Sequence, residues 1–118
     1  MTAFRDFERK ALRLLIARRL GPAVTDALLR EATLIAIDRE DTLYSLVATH
    51  DSLLPGTSEF QFDRPEVIGR YEDTAVRFKA AISSNQLSLL AQSTQMTEIP
   101  EYFRERDIEI EIINDAGE

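Results

Sequence analysis

Apolar residues recur at three- and four-residue steps from the start of the chain. Phe4, Phe7, Ala11, Leu14 and Leu15 fall on one side of a helical projection, with Arg5, Arg9, Lys10 and Arg13 mostly on the other faces. Thr2 or Asp6 is placed to cap this helix. Gly21-Pro22 ends it, because glycine tolerates a left-handed cap and proline cannot continue the hydrogen-bond ladder. Pro22 then suits the first turn of a second helix, in which Val24, Ala27, Leu28 and Glu31 share a face and Asp26 lies near the positive end. The spacing predicts two antiparallel helices joined by a tight link.

After Ala32 the period shortens. Residues 33–37 (Thr-Leu-Ile-Ala-Ile) and 42–48 (Thr-Leu-Tyr-Ser-Leu-Val-Ala) read as β-strands around the polar turn Asp38-Arg39-Glu40-Asp41; continuation of the second helix through Ile37 is the competing reading. Residues 49–58 have a loop composition. Residues 59–62 alternate briefly, and Pro65 stops that run or confines it to an edge, leaving Asp63, Glu66, Glu72 and Asp73 in a loop. Val76, Phe78, Ala80 and Ile82 point one way while Arg77 and Lys79 point the other. Residues 83–86 turn the chain, and residues 87–91 return it as a hairpin with one buried face. Glu101–Arg106 suggests a helical turn after Ile99-Pro100. The end, residues 108–112, alternates strictly; full burial of Ile108, Ile110 and Ile112 would contribute about 1.5–3 kcal/mol each. These elements predict one α+β domain over residues 1–118, with two N-terminal helices packed on an antiparallel sheet of about five strands, one face covered and the other partly open.

Composition adjusts this picture. The 118 residues suit one domain with its own core, and 44% hydrophobic content is that of an ordinary globular protein, so 30% charge does not mean disorder. No apolar run reaches the roughly 20 residues a membrane helix needs, and the first ten residues mix acids and bases where a signal peptide is apolar. A cytoplasmic protein with no membrane partner is expected. The absence of cysteine excludes disulfides, thiolate nucleophiles and Cys-ligated metals, and with one histidine no site can use two imidazoles of one chain. Charge is unevenly placed within the net of −7. Residues 1–30 carry seven bases against three acids, and the remainder carries seven bases against eighteen acids, hence −11. Such a surface repels phosphate backbones and attracts basic proteins, so no nucleic-acid partner is expected.

Catalytic patterns are weak. His50-Asp51 has no Gly-x-Ser-x-Gly elbow to serve, and the chain lacks both phosphate-binding glycine motifs. The acids at 38–41 and 63–73 do not follow a calcium-loop pattern. Neither cofactor nor metal is expected, and a small hydrolase or metal-dependent enzyme centred on His50 remains only as an alternative. What survives is protein binding. Asp38, Glu40 and Asp41 in one turn, with Glu98, Glu101, Tyr102, Glu105 and Asp107 in a later segment, combine carboxylates with aromatic and arginine anchors of the kind that dominate interface energies.

In layout the chain resembles the small immunity proteins of bacterial contact-dependent growth inhibition and related polymorphic toxin systems. Residues 6–15 (Asp-Phe-Glu-Arg-Lys-Ala-Leu-Arg-Leu-Leu), 28–42 (Leu-Leu-Arg-Glu-Ala-Thr-Leu-Ile-Ala-Ile-Asp-Arg-Glu-Asp-Thr) and 87–90 followed by Ile99-Pro100 carry the resemblance. It implies a non-enzymatic inhibitor that binds a cognate toxin domain, often a basic nuclease, and blocks its working surface. It transfers no individual residue. An acidic adaptor or regulatory module is the alternative within the binding class.

Overall fold

The computed structural model describes residues 4–50, 60–83 and 86–113, with the backbone alone at Asp63. Helix α1 (Asp6–Leu20) is followed, after Gly21 at φ 87°, by α2 (Pro22–Glu31). Arg5, neither Thr2 nor Asp6, occupies the N-cap of α1, and its backbone N–H donates to the Glu8 carboxylate at 2.7 Å. Thr2 lies outside the described residues. Phe7, Ala11, Leu12, Leu15 and Ile16 make the buried stripe of α1, while Thr25, Leu28 and Leu29 make that of α2. Val24 and Glu31, expected on that face, are exposed.

The strands are β1 (Thr33–Arg39), β2 (Leu43–Thr49), β3 (Phe60–Tyr71), β4 (Thr74–Ser83), β5 (Gln86–Ser93) and β6 (Glu109–Ile113). Among the described residues they form one antiparallel sheet in the order β1-β2-β5-β4-β3-β6, one strand more than the sequence suggests. Residues 33–37 are strand, so the helical alternative fails; three β-branched residues in five favour the extended chain. The stretch around Pro65 is also not a loop. β3 runs through it, with a cis Arg64–Pro65 bond and an irregular register between Phe62 and Val67. Among the described residues β6 pairs with β3 only as far as Glu66, and the β4 register breaks between Phe62 and Val67, so the missing N–H of Pro65 deprives no described strand of a bond. Of the turn expected at 83–86, residues 84–85 lie outside the described residues, as do residues 51–58 of the loop expected at 49–58; Thr49 ends β2.

One face of the sheet is dry. Tyr44, Leu46, Phe78, Ile82, Leu87 and Leu89 are fully buried beneath the helices. α1 lies on β3, β4 and β6, and α2 packs chiefly against α1. A Cβ on Gly69 would stand 2.7 Å from Phe78, so glycine is what lets that ring seat against β3. The other face carries ion pairs, Arg77–Glu66 at 2.5 Å and Arg70–Glu111 at 3.6 Å. β6 is an edge strand, which is why Ile112, expected in the core, is 40% exposed.

Residues 94–108 cross one end of the sheet between β5 and β6. Ile99 and Phe103 anchor this strap in the core, and Phe103 meets Phe7 edge-to-face at 5.9 Å. The short 3₁₀ turn Phe103–Glu105 fulfils the expected helical turn. It delivers Arg104 to Glu8, whose side chain is fully buried. The guanidinium donates twice, at 2.6 and 2.8 Å, and the Tyr44 hydroxyl donates to the same carboxylate at 3.0 Å. With the Arg5 N–H, four donors satisfy one buried carboxylate. The Glu8 hydrogen bond holds the Arg104 pKa above its usual value, and burial together with the adjacent carboxylate pushes the Tyr44 phenol far above its ordinary 10.0.

Removing the cation should leave an uncompensated buried charge. Arg104→Met is expected to lower unfolding free energy by about 3–5 kcal/mol in urea titrations. Because the folded-state pKa of Tyr44 lies above its unfolded value, its contribution to stability is complete below pH about 10. It is lost as pH rises further, since the unfolded phenol then ionises while the folded one cannot. Tyr44→Phe should therefore flatten the fall of stability with pH above about 10, measured by denaturation across that range.

Candidate protein-binding surface

The register of the sheet decides where the acids go. β1 ends, β2 begins, β5 ends, β4 begins, β3 ends and β6 begins at the same end of the sheet. The β1–β2 turn (Glu40, Asp41), the β3–β4 turn (Glu72, Asp73) and the strap (Glu98, Glu101, Glu105, Asp107) therefore converge there, with Asp38 and Glu109 at the adjoining strand ends. None of these ten carboxylates forms a salt bridge among the described residues. The paired ones are Asp6 with Arg9 at the start of α1, Asp26 with Arg13, Glu31 with Arg30 and His50, Glu66 with Arg77, Glu111 with Arg70, and Glu8 in the core.

Two depressions shape this end. The smaller, of about 180 Å³, brings the two predicted acidic elements together: Glu40 and Asp41 from the turn, Glu98 and Glu101 from the strap, with Arg39 and Ile99. The strap is fixed to the turn through backbone groups. The Ile99 N–H donates to the Asp41 carbonyl at 2.8 Å, the Ser93 N–H to Thr42 at 2.8 Å, and Arg39 donates to the Ile99 carbonyl at 2.7 Å. Thr97 caps the bend by donating its N–H to the Ser93 hydroxyl at 3.0 Å. Arg39 is thus committed to holding the strap, and four carboxylates face solvent around it. The larger cleft, of about 770 Å³, lies between the start of α1, the β3–β4 turn and residues 104–110. Glu105, Asp107, Glu72, Glu109 and Asp6 line it, but so do Arg5, Lys10, Arg70 and Arg106, so its charge is close to balanced. The smaller depression is the concentrated negative site.

An aromatic–cation group adjoins the larger cleft, which Tyr71 and Arg106 line. Tyr102 is 43% exposed, meets Tyr71 edge-to-face at 6.4 Å, and carries the Arg106 guanidinium over its ring at 4.8 Å. Of the sequence-predicted residues, Glu40, Asp41, Glu98 and Glu101 share one depression, Glu105 and Asp107 line its neighbour, and Tyr102 adjoins that neighbour through Tyr71 and Arg106. Asp38 joins neither, because it opposes Ser45 on the face of β1 turned away from the helices. Tyr71, Arg106, Glu72 and Asp73 were not among the predicted site residues. Tyr71 closes the alternation Val67-Gly69-Tyr71, a signal hidden behind Pro65.

His50 is tied down away from this end. Its Nε2 lies 3.0 Å from the Glu31 carboxylate at the close of α2, and this hydrogen bond is the main cause of a lowered Glu31 pKa. Asp51, its neighbour in the proposed dyad, lies outside the described residues. The described residues contain no group of three or more His, Asp or Glu arranged to hold a metal ion, and no helix among them is long and apolar enough to cross a membrane.

Compared with models of known protein families, with curated proteins and with solved structures, the chain matches none.

Crowded unpaired carboxylates repel one another. Replacing Glu40, Asp41, Glu98 and Glu101 together by their amides should raise unfolding free energy by about 0.5–1 kcal/mol at low ionic strength. The gain should shrink in about 1 M salt, where the screening length falls to about 3 Å. Thermal unfolding at both ionic strengths checks this.

Proposed function

We propose that this chain is an immunity protein that binds a cognate, basic toxin domain through its acidic end and neutralises it in the cytoplasm without catalysis. The reading is carried by one observation: the ten carboxylates that the turns, strap and strand ends bring to this end of the sheet form no salt bridge among the described residues, while six described carboxylates outside that group do. A fold that neutralises its other acids and concentrates free ones on one surface is suited to a cationic partner. A nuclease domain has a positive cleft for its phosphate substrate, and carboxylates held on a rigid turn and strap can enter that cleft and pair with its arginines. Tyr102, with Tyr71 and Arg106 around it, supplies the aromatic and arginine anchor that slows dissociation, and the surrounding charges govern encounter.

Where a neighbouring gene encodes a large secreted protein with a basic C-terminal domain, that domain is the partner to test. Co-expression should yield a stable complex and protect cells from that domain. Charge reversal at Asp38, Glu40 and Asp41, or at Glu101 and Glu105, should slow association about tenfold or more at low salt, read by stopped-flow or surface binding. His50→Ala should protect as well as the parent chain. An unchanged association rate in both charge-reversal variants would move the interface elsewhere. Recovery of a housekeeping complex in place of a toxin would favour the adaptor role.

A further inference from the structure

β1 is the barest strand of the fold. Among the described residues it pairs with β2 on one side only, and no described strand lies beside its outer row of N–H and C=O groups. The helical layer rests on the far half of the sheet, and every β1 residue except Leu34 is exposed. Ile35 and Ile37 stand 52% and 42% exposed. Edge strands are ordinarily protected by shortness, proline, lysine or inward charges. β1 has seven residues with no proline or lysine, and its one inward charge, Arg39, is the last residue; its one irregularity, between Leu34 and Ala36, leaves Ala36–Arg39 in regular register. The opposite edge is guarded. β6 has five residues, with Glu109 and Glu111 alternating with its isoleucines, and antiparallel pairing of β6 with itself about Ile110 or Glu111 sets carboxylate against carboxylate.

We propose that β1 pairs antiparallel with β1 of a second copy of this chain, joining two sheets across a two-fold axis. A two-fold interface needs a strand complementary to itself. With the axis at Ile37, that residue faces its own copy, Ala36 faces Asp38 and Ile35 faces Arg39, so exposed apolar surface is covered and no like charges meet. Centring on Asp38 would oppose two carboxylates. Long-range charge selects the same arrangement. Each chain carries −7, and its acidic end lies just beyond Arg39. Antiparallel pairing sends the two acidic ends to opposite extremities, whereas parallel pairing would lay them side by side. The dimer does not rest on the toxin-binding role. The five residues Ile35–Arg39 pair in this register and span about 17 Å, a small interface suited to a dissociation constant in the micromolar range or weaker.

Sedimentation equilibrium of the full chain up to about 100 µM should give a mass rising towards twice 13.4 kDa. Ile37→Lys should remain monomeric with unchanged far-UV circular dichroism, and Ile112→Lys, on the other edge, should dimerise like the parent. Amide exchange in the parent chain should slow at β1, and not at β6, as concentration rises; this reading holds even where the lysine variant fails to fold. A monomer across the whole range overturns the proposal. So does an open-ended series of larger species, which would mean β1 joining β6 head to tail, or a dimer lost in Ile112→Lys and kept in Ile37→Lys.

Discussion

The buried carboxylate of Glu8 is the constraint from which the rest of the architecture follows. A charge at that depth is costly unless every lone pair is used and a counter-ion is present. Arg104, Tyr44 and the Arg5 backbone meet those demands from three separate parts of the chain. Satisfying one residue therefore fixes the start of α1, the start of β2 on the dry sheet face and the strap to one another. The strap has little regular structure of its own, and Phe103 against Phe7 alone would leave its azimuth free. The bidentate geometry of a guanidinium on a carboxylate does not.

That fixation has an electrostatic consequence. By consuming Arg104 in the core and Arg39 in a backbone contact, the fold uses for structure two of the cations nearest its acidic end. Glu40, Asp41, Glu98 and Glu101 are left as neighbours around one depression without neutralisation. Arg9, Arg13 and Arg30 of the two helices are meanwhile paired with local acids, and Arg19 lies 4.0 Å over the ring of Phe60 at the other end. A stable acidic surface held in one geometry is a pre-organised site for a cation-rich protein, and it loses little entropy on binding.

Periodicity made most of this fold legible. The stripe from Phe4 to Leu15, the Val76–Ile82 alternation and the return strand at 87–91 each show a single burial period, and the structure follows them. β3 was obscured because proline and a register irregularity split a twelve-residue strand into a short alternation and an apparent loop. Glu8 could not be read as a core residue, since a lone glutamate in a helix rich in bases looks like a surface charge; its partner lies 96 positions away. The acidic residues themselves were visible as two groups. Their convergence was not, because it depends on strand order, which local pattern does not encode. Tyr71 and Arg106 joined the surface for the same reason.

The central claim is that the Glu8 clasp holds the acidic strap in place as a unit with α1. Native-state amide exchange of Arg104→Lys, which keeps the charge and loses the fork, measures this directly. Ile99, Phe103 and Glu105 should lose protection together with the first turn of α1, while the β4–β5 amides keep theirs. Unchanged protection at Ile99 and Phe103, or a uniform loss across the whole sheet, would contradict the account.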